Sequence, residues 1–167
     1  FFDYVTPEEV GYSSELLDDA LGFAQQSGYA AAMAVHNGKV FFSWGNITYN
    51  YQCHSIRKPF MNALYGIAVS EEGIDLDNTL EDLGIDDLPP SLTLEEQQAT
   101  VRQLLQSRSG VYHDAAAETP EMEELRPERG SHPPGTFFYY NNWDFNAAGS
   151  IYMQETGSDI FDAFNTL

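Results

Sequence analysis

The chain places a serine three residues before a lysine, at Ser55 and Lys58, where an apolar run with helical spacing begins. Residues three positions apart lie on one face of a helix, with Cβ atoms about 5–6 Å apart. At that separation the Ser55 hydroxyl can give its proton to a neutral Lys58 amine and then act as a nucleophile. A free lysine has a pKa of about 10.4, so burial or a neighbouring charge must lower that pKa before the amine can serve as a base.

Pro59 indicates that this pair lies at the start of the helix, since proline is tolerated in a first turn but not in a helix interior. The unpaired backbone N–H groups of a helix start favour negative charge developing on the serine. A four-residue pattern of this kind also occurs by chance, although Lys39 and Lys58 are the only lysines in the chain. The neighbouring Cys53 has only His54 as a nearby partner, and we interpret it as a packed small residue.

The composition predicts a globular protein with a core of its own. The chain has 167 residues, of which 43% are hydrophobic and 14% aromatic, and its formal net charge is −19. Such acidity argues against binding to nucleic acid or to an anionic membrane surface, and it is typical of a soluble or salt-adapted surface. No apolar run is long enough to predict a membrane span, and no signal-peptide pattern is present. A single cysteine excludes an internal disulfide and leaves the compartment open.

Turn and capping residues predict the elements that surround the motif. The Asn37-Gly38 dipeptide is preferred in a type I′ turn and predicts a hairpin, and Thr100 with Gln103 has the form of a capping box. The predicted elements are a lead-in over residues 1–12, a helix from Ser13 or Ser14 to Gly28, strands at 29–36 and 39–44, and helices at 55–71, 100–109 and 122–125. A further helix follows the segment 137–149 and reaches Glu155, and another begins at a Ser158 cap. His113 and His132 fall in the loop-rich segment 111–136, where no ligand spacing completes a metal site. We therefore predict no metal and no organic cofactor.

Four pieces occur in one order along the chain. They are the hairpin, Ser55-Ile56-Arg57-Lys58, a leucine-containing segment that ends in Ser109-Gly110, and Pro134-Gly135 followed by Tyr140-Asn141-Asn142. From about Val10 onward, this combination resembles the serine β-lactamase and penicillin-binding-protein superfamily. The nearest branch comprises class C β-lactamases, family VIII carboxylesterases and 6-aminohexanoate-dimer hydrolases.

The resemblance implies an α+β fold in which an antiparallel sheet with flanking helices is joined to a helical domain. Residues 1–50 would hold the N-terminal helix and the first hairpin, and residues 51–167 the helical domain with both motifs. The family's third motif, a Lys-Thr-Gly or His-x-Gly triad with a second oxyanion-hole N–H, does not follow Tyr140. We therefore expect the N-terminal portion of the fold, either as a truncated or processed piece or completed by a second chain, and little activity from it alone.

Carried over by position, the resemblance makes Ser55 the acylated nucleophile and Lys58 its partner in proton transfer. Tyr140 becomes a second general acid or base, and Asn142 holds the substrate or the lysine by hydrogen bonds. Tyr139 is a rival for the tyrosine role, because Tyr139-Tyr140-Asn141 also reads Tyr-x-Asn. Phe138 matches the aromatic residue that the family has two positions before its tyrosine, and this match favours Tyr140.

The implied function is a serine hydrolase that acts on small esters, amides or β-lactams through an acyl-enzyme on Ser55, with no nucleic acid, membrane span or cofactor. We lean towards small esters or short amides, with β-lactams second. The alternative is a non-catalytic relative or fragment that only binds a partner chain or assembles with it. A bacterial periplasmic or secreted location is favoured over the cytoplasm.

Overall fold

The computed structural model describes residues 2–71 and 73–166. They form two compact units, residues 1–52 and 53–167. Helices and strands both occur, in agreement with the predicted α+β class. In the described part of the chain, no helix combines the length and the apolar character that crossing a membrane requires.

The first unit contains one α-helix and a small sheet. Its elements are β1 (Asp3–Tyr4), a 3-10 helix (Glu8–Val10), α1 (Ser14–Gln26), β2 (Ala31–His36) and β3 (Lys39–Gly45). The Ser13 side chain caps α1 by accepting a hydrogen bond from the Leu16 N–H. Asn37 and Gly38 both have positive φ, as the predicted hairpin turn between β2 and β3 requires.

The sheet contains one strand that the sequence did not predict. β1 pairs in parallel with β3, so the strand order is β1-β3-β2 and the lead-in segment is part of the sheet. A strand of two residues has no periodicity to detect, and its pairing is visible only once β3 is in place.

The second unit is helical. Its elements are a 3-10 helix (His54–Ile56), α2 (Arg57–Glu71), a 3-10 helix (Glu96–Gln98), α3 (Val101–Leu105), α4 (Pro120–Leu125), α5 (Asn142–Thr156) and α6 (Ile160–Asn165). The Thr100–Gln103 capping box is present at the start of α3. α3 is shorter than predicted, because the backbone of Ser107 turns to positive φ instead of continuing the helix. The cap of α6 is Asp159 and not Ser158, since the Asp159 carboxylate accepts from the backbone of the first turn.

The core of the second unit lies mainly between α2, α3 and α5. Leu64, Leu104, Ala148 and Ile151 are among its buried residues. The Tyr65 hydroxyl crosses from α2 to α5 and donates to the Ala148 carbonyl oxygen at 2.5 Å. Burial of these side chains provides most of the stabilisation of the unit and fixes how the helices align.

Gly110 is required where the chain passes the loop before Pro134. Its φ is +75°, and a Cβ placed on it would lie 2.6 Å from the His132 carbonyl oxygen.

We expect Gly110→Ala to lower the free energy of unfolding by about 2–4 kcal/mol, because both the backbone conformation and the close contact would be strained. Urea unfolding measures this change. Gly66→Ala is the control: its Cβ meets nothing within 4 Å, and alanine favours the helix, so equal losses in the two variants would contradict the explanation.

Candidate active site

The Lys58 side chain is buried, and its amino group bonds to three oxygen atoms. Nζ lies 3.2 Å from Ser55 Oγ, 2.5 Å from the Tyr140 hydroxyl and 2.8 Å from Asn142 Oδ1. A lysine ammonium has three N–H donors, so each donor has one acceptor. All four residues singled out in the sequence therefore meet at one nitrogen atom.

Two helix starts position these side chains. Ser55 lies in the 3-10 helix that leads into α2, and Lys58 lies in the first turn of α2 itself. Asn142 is the first residue of α5, behind an Asn141 cap whose side chain accepts from the Asp144 N–H at 2.7 Å. The two N-termini direct partial positive charge towards the site, which favours negative charge on the serine or tyrosine oxygen.

Strained backbone also surrounds the site. In the described part of the chain, four residues other than glycine have positive φ, and three of them adjoin the site. His54 immediately precedes the motif serine; the carbonyl of Ser107 accepts from the Tyr139 N–H at 3.0 Å; and the carbonyl of Ala117 accepts from Asn142 Nδ2 at 3.0 Å. Such conformations cost of order 1–3 kcal/mol each and persist only where surrounding contacts hold them.

Tyr140 lies in a strongly cationic environment. Burial alone would raise the pKa of its phenol, but hydrogen bonds with Lys58 and Ser55 and the charges of Lys58 and Arg57 lower that pKa below its ordinary value of 10. The ammonium also lies 4.2 Å from the centre of the tyrosine ring, a cation–π distance. These contacts stabilise the phenolate form of Tyr140 relative to that of a free tyrosine.

The two adjacent tyrosines have different surroundings. Tyr139 is buried and donates its hydroxyl hydrogen to the Met122 carbonyl at 2.6 Å. Tyr140 is the one that contacts Lys58. The structure therefore places the second of the two rival tyrosines beside the motif lysine.

Asn142 has a second set of partners that the sequence did not reveal. Its Nδ2 donates to the carbonyl oxygens of Ala116 at 3.2 Å and Ala117 at 3.0 Å. Backbone carbonyls are common to all residues, so no residue type could have marked these two as parts of the site.

A buried acid lies two residues further along α5. Asp144 is fully buried; its Oδ1 accepts from the Ser109 hydroxyl at 2.5 Å, and its Oδ2 has no hydrogen-bond partner among the described residues. Burial raises the pKa of this carboxyl to about 7, even though hydrogen bonds with Ser109 and Asn141 oppose the rise. Sequence reasoning missed Asp144, because an acid in the first turn of a helix normally faces solvent.

His113 is more than the loop histidine that the sequence suggested. It is buried, and its Nδ1 bonds to Asp87 Oδ2 at 2.8 Å, an oxygen that also accepts from Trp143 Nε1 at 2.8 Å. Its Nε2 lies 3.7 Å from Glu96, which pairs with Arg129. This network anchors the residue next to Asn142, and the described residues contain no cluster that could hold a metal ion.

An apolar groove adjoins Lys58 on its other side. It encloses about 520 Å³ between α2, α5 and α6. Its apolar lining includes Phe60, Met61, Leu64, Phe145, Met153 and Phe164. Cys53, predicted to be packed, is instead exposed at this groove.

A family model described as beta-lactamase matches residues 16–164. The chain belongs to the β-lactamase family. This confirms the resemblance drawn from the sequence and the predicted fold. A comparison with curated proteins gave no match.

Solved structures of similar fold support the assignment. A proposed β-lactamase from Bacteroides dorei is 23% identical with a TM-score of 0.68, over 93% of this chain and 50% of that protein. A proposed 6-aminohexanoate-dimer hydrolase from Bacillus anthracis is 20% identical with a TM-score of 0.60, over 83% of this chain and 43% of that protein. SurE in complex with D-Leu is also 20% identical with a TM-score of 0.60, over 92% of this chain and 39% of SurE. At these identities the similarity shows the fold, and the chain spans half or less of the length of each of these structures.

Asp144 gives the second unit a pH-dependent stability. Its folded-state pKa lies above the ordinary 3.8, so the folded protein holds a proton that the unfolded chain releases. This contribution is fully present near pH 4 and is lost as the pH rises through about 7. We expect Asp144→Asn, which carries no charge at any pH, to raise the free energy of unfolding by about 2–4 kcal/mol at pH 8 and to leave it unchanged near pH 4.

Chemical denaturation of both proteins at several pH values measures this difference. Glu124→Gln is the control, because it removes an exposed carboxylate of the same charge from α4. A stability difference for Asp144→Asn that stays constant from pH 4 to pH 8 would contradict the explanation.

Proposed function

We propose that this chain carries the acylating machinery of a serine hydrolase of the β-lactamase family, with Ser55 as the nucleophile. The observation that supports this proposal best is the set of three contacts at Lys58 Nζ, to Ser55, Tyr140 and Asn142. A nucleophile next to a base that is itself held by further groups is the arrangement that covalent catalysis needs. Ser55 is exposed, so a substrate carbonyl can reach it.

In the proposed reaction, Ser55 Oγ attacks the substrate carbonyl carbon. Its proton passes to the Tyr140 phenolate, or to Lys58 once the Lys58 ammonium has given a proton to that phenolate. The tetrahedral intermediate collapses to an ester on Ser55, and the leaving group takes up the proton. Water then attacks the ester by the reverse sequence of proton transfers, which frees the acid and the serine. The 2.5 Å contact between Lys58 and Tyr140 lets one proton pass between the two groups.

Asn142 is proposed to hold Lys58 in place, because an amide oxygen accepts a hydrogen bond and cannot take up a proton. Its Oδ1 therefore directs Lys58 without competing for the proton of Ser55. The start of α2 favours the negative charge that develops on the substrate oxygen.

We propose small, neutral esters or short amides as substrates, with β-lactams second. The groove beside Lys58 is lined mainly by apolar side chains and suits an apolar group. The net charge of −19 disfavours anionic substrates at long range.

A second candidate function is binding or assembly without turnover. Phe60, Phe161 and Phe164 line the groove and are 51%, 70% and 48% exposed, which is typical of a surface that another polypeptide covers. The chain also spans half or less of the solved structures that it resembles. Labelling of Ser55 distinguishes the two candidates, because assembly alone needs no reactive serine.

We expect a serine-reactive phosphonate to add once to the chain, as measured by intact-mass spectrometry. The adduct should be absent from Ser55→Ala and unchanged in Ser70→Ala, which removes an exposed serine from the end of α2. The mass spectrum also reveals any second polypeptide in the sample. A wild-type chain that stays unlabelled, or a label that persists in Ser55→Ala, would overturn the proposed nucleophile.

The labelling rate should depend on the ionisation of Tyr140. Because the pKa of Tyr140 is lowered, the rate should rise with pH through a step below pH 10. Tyr140→Phe should slow labelling by about 10²–10⁴-fold and remove that step. Tyr49→Phe, at an exposed tyrosine of the first unit, should change neither. If the step survives in Tyr140→Phe, the titrating group is another residue.

A further inference from the structure

The orientation of the Asn142 amide is determined by two backbone carbonyls. The carbonyls of Ala116 and Ala117 face Nδ2, so Oδ1 faces Lys58. If the amide were turned over, its NH2 group would meet the ammonium donors and its oxygen would meet two carbonyl oxygens. Both ends would then be mismatched, so the carbonyl pair determines that Lys58 meets an acceptor.

The loop that carries these carbonyls does not follow from local preference. Ala117 has a φ of +61°, a left-handed conformation that alanine rarely adopts. Other contacts must therefore hold the loop.

Glu118 and Arg126 provide those contacts. Glu118 Oε2 accepts from the Ala115 N–H at 3.1 Å and from Arg126 Nη2 at 2.6 Å. The same guanidinium pairs through Nη1 with Asp114. Arg126 therefore binds the loop on both sides of the two alanines.

Arg126 also reaches the other side of the site. Burial raises the pKa of the phenol of Tyr139, the residue before Tyr140, and the nearby Arg126 guanidinium partly offsets that rise. The Glu118 side chain is 5% exposed and the Arg126 side chain 18% exposed, so this pair is largely shielded from water. A shielded pair is far less screened than a surface ion pair and can hold a fixed geometry.

We infer that Arg126 is a positioning residue: with Glu118 and Asp114, it holds the Ala116–Ala117 carbonyls that orient Asn142 towards Lys58. The inference rests on the proposed function as far as reaction rate is concerned, but the orientation itself can be measured separately. Lysine cannot replace arginine here, because one ammonium lacks the planar fork that reaches both carboxylates at once.

The test compares Arg126→Lys, Asn142→Ala and the double variant in a cycle. We expect Arg126→Lys to slow phosphonate labelling of Ser55 by about 10- to 100-fold in the native background, as a small misplacement of a reacting group does. In the Asn142→Ala background the same change should have little further effect, because the residue that it positions is gone. Equal effects in both backgrounds, or no effect in either, would overturn the inference.

A second readout does not depend on reactivity. Hydrogen exchange of the Asn142 side-chain NH2, followed by NMR, should be slow in the wild-type chain and at least tenfold faster in Arg126→Lys. Arg102→Met is the matched control, since Arg102 pairs with a single exposed carboxylate, Asp77, and should leave exchange and labelling unchanged. Glu118→Gln, which keeps the shape of the side chain, should reproduce the faster exchange if Arg126→Lys does not fold.

The two proposals fail in different ways. An unlabelled wild-type chain whose Asn142 amide is protected in an Arg126-dependent manner refutes the proposed function and leaves the positioning role intact. A labelled chain in which Arg126→Lys and Glu118→Gln change neither labelling nor exchange refutes the positioning role alone.

Discussion

The second unit depends on the pairing of one buried cation. An ammonium removed from water without partners would be strongly destabilising. The folded unit therefore needs the three oxygens around Lys58 Nζ, and the proposed chemistry uses the same oxygens. Tyr140 and Asn142 provide two of those oxygens and lie 82 and 84 positions further along the chain. The packing of α2 against α5 must therefore bring their first turns together.

A second contact between α2 and α5 agrees with this alignment. Tyr65 bonds to Ala148 across a separation of 83 residues, nearly the separation between Lys58 and Asn142. The two contacts join residues at similar distances from the two helix starts, so the two helices run in the same direction. Packing fixes this alignment, and the polar contacts at the helix starts use it.

Much of this arrangement could be predicted from the residue types in the sequence. Capping and turn residues such as Ser13, Asn37-Gly38 and Thr100 predicted where elements begin and end, because they act locally. The site residues were predicted from a pattern shared with a family, and the geometry brings Ser55, Lys58 and Tyr140 together.

What the sequence could not predict depends on distant packing. The two alanine carbonyls look like any other backbone, and the importance of Arg126 lies in its two carboxylate partners and not in its type. The burial of Asp144 and His113 depends on elements that precede them by tens of residues. The strain at Ala117 is likewise a property of the folded loop and not of alanine.

The separation of 84 residues between Lys58 and Asn142 also has a consequence for biosynthesis. The motif serine and lysine leave the ribosome long before Tyr140 and Asn142 exist, and Lys58 has only one of its three oxygen partners, Ser55, at that stage. The complete site can form only after α5 has been synthesised and docked, because its contacts join residues that are far apart in the chain. The proposed chemistry therefore arises only as a property of the folded unit.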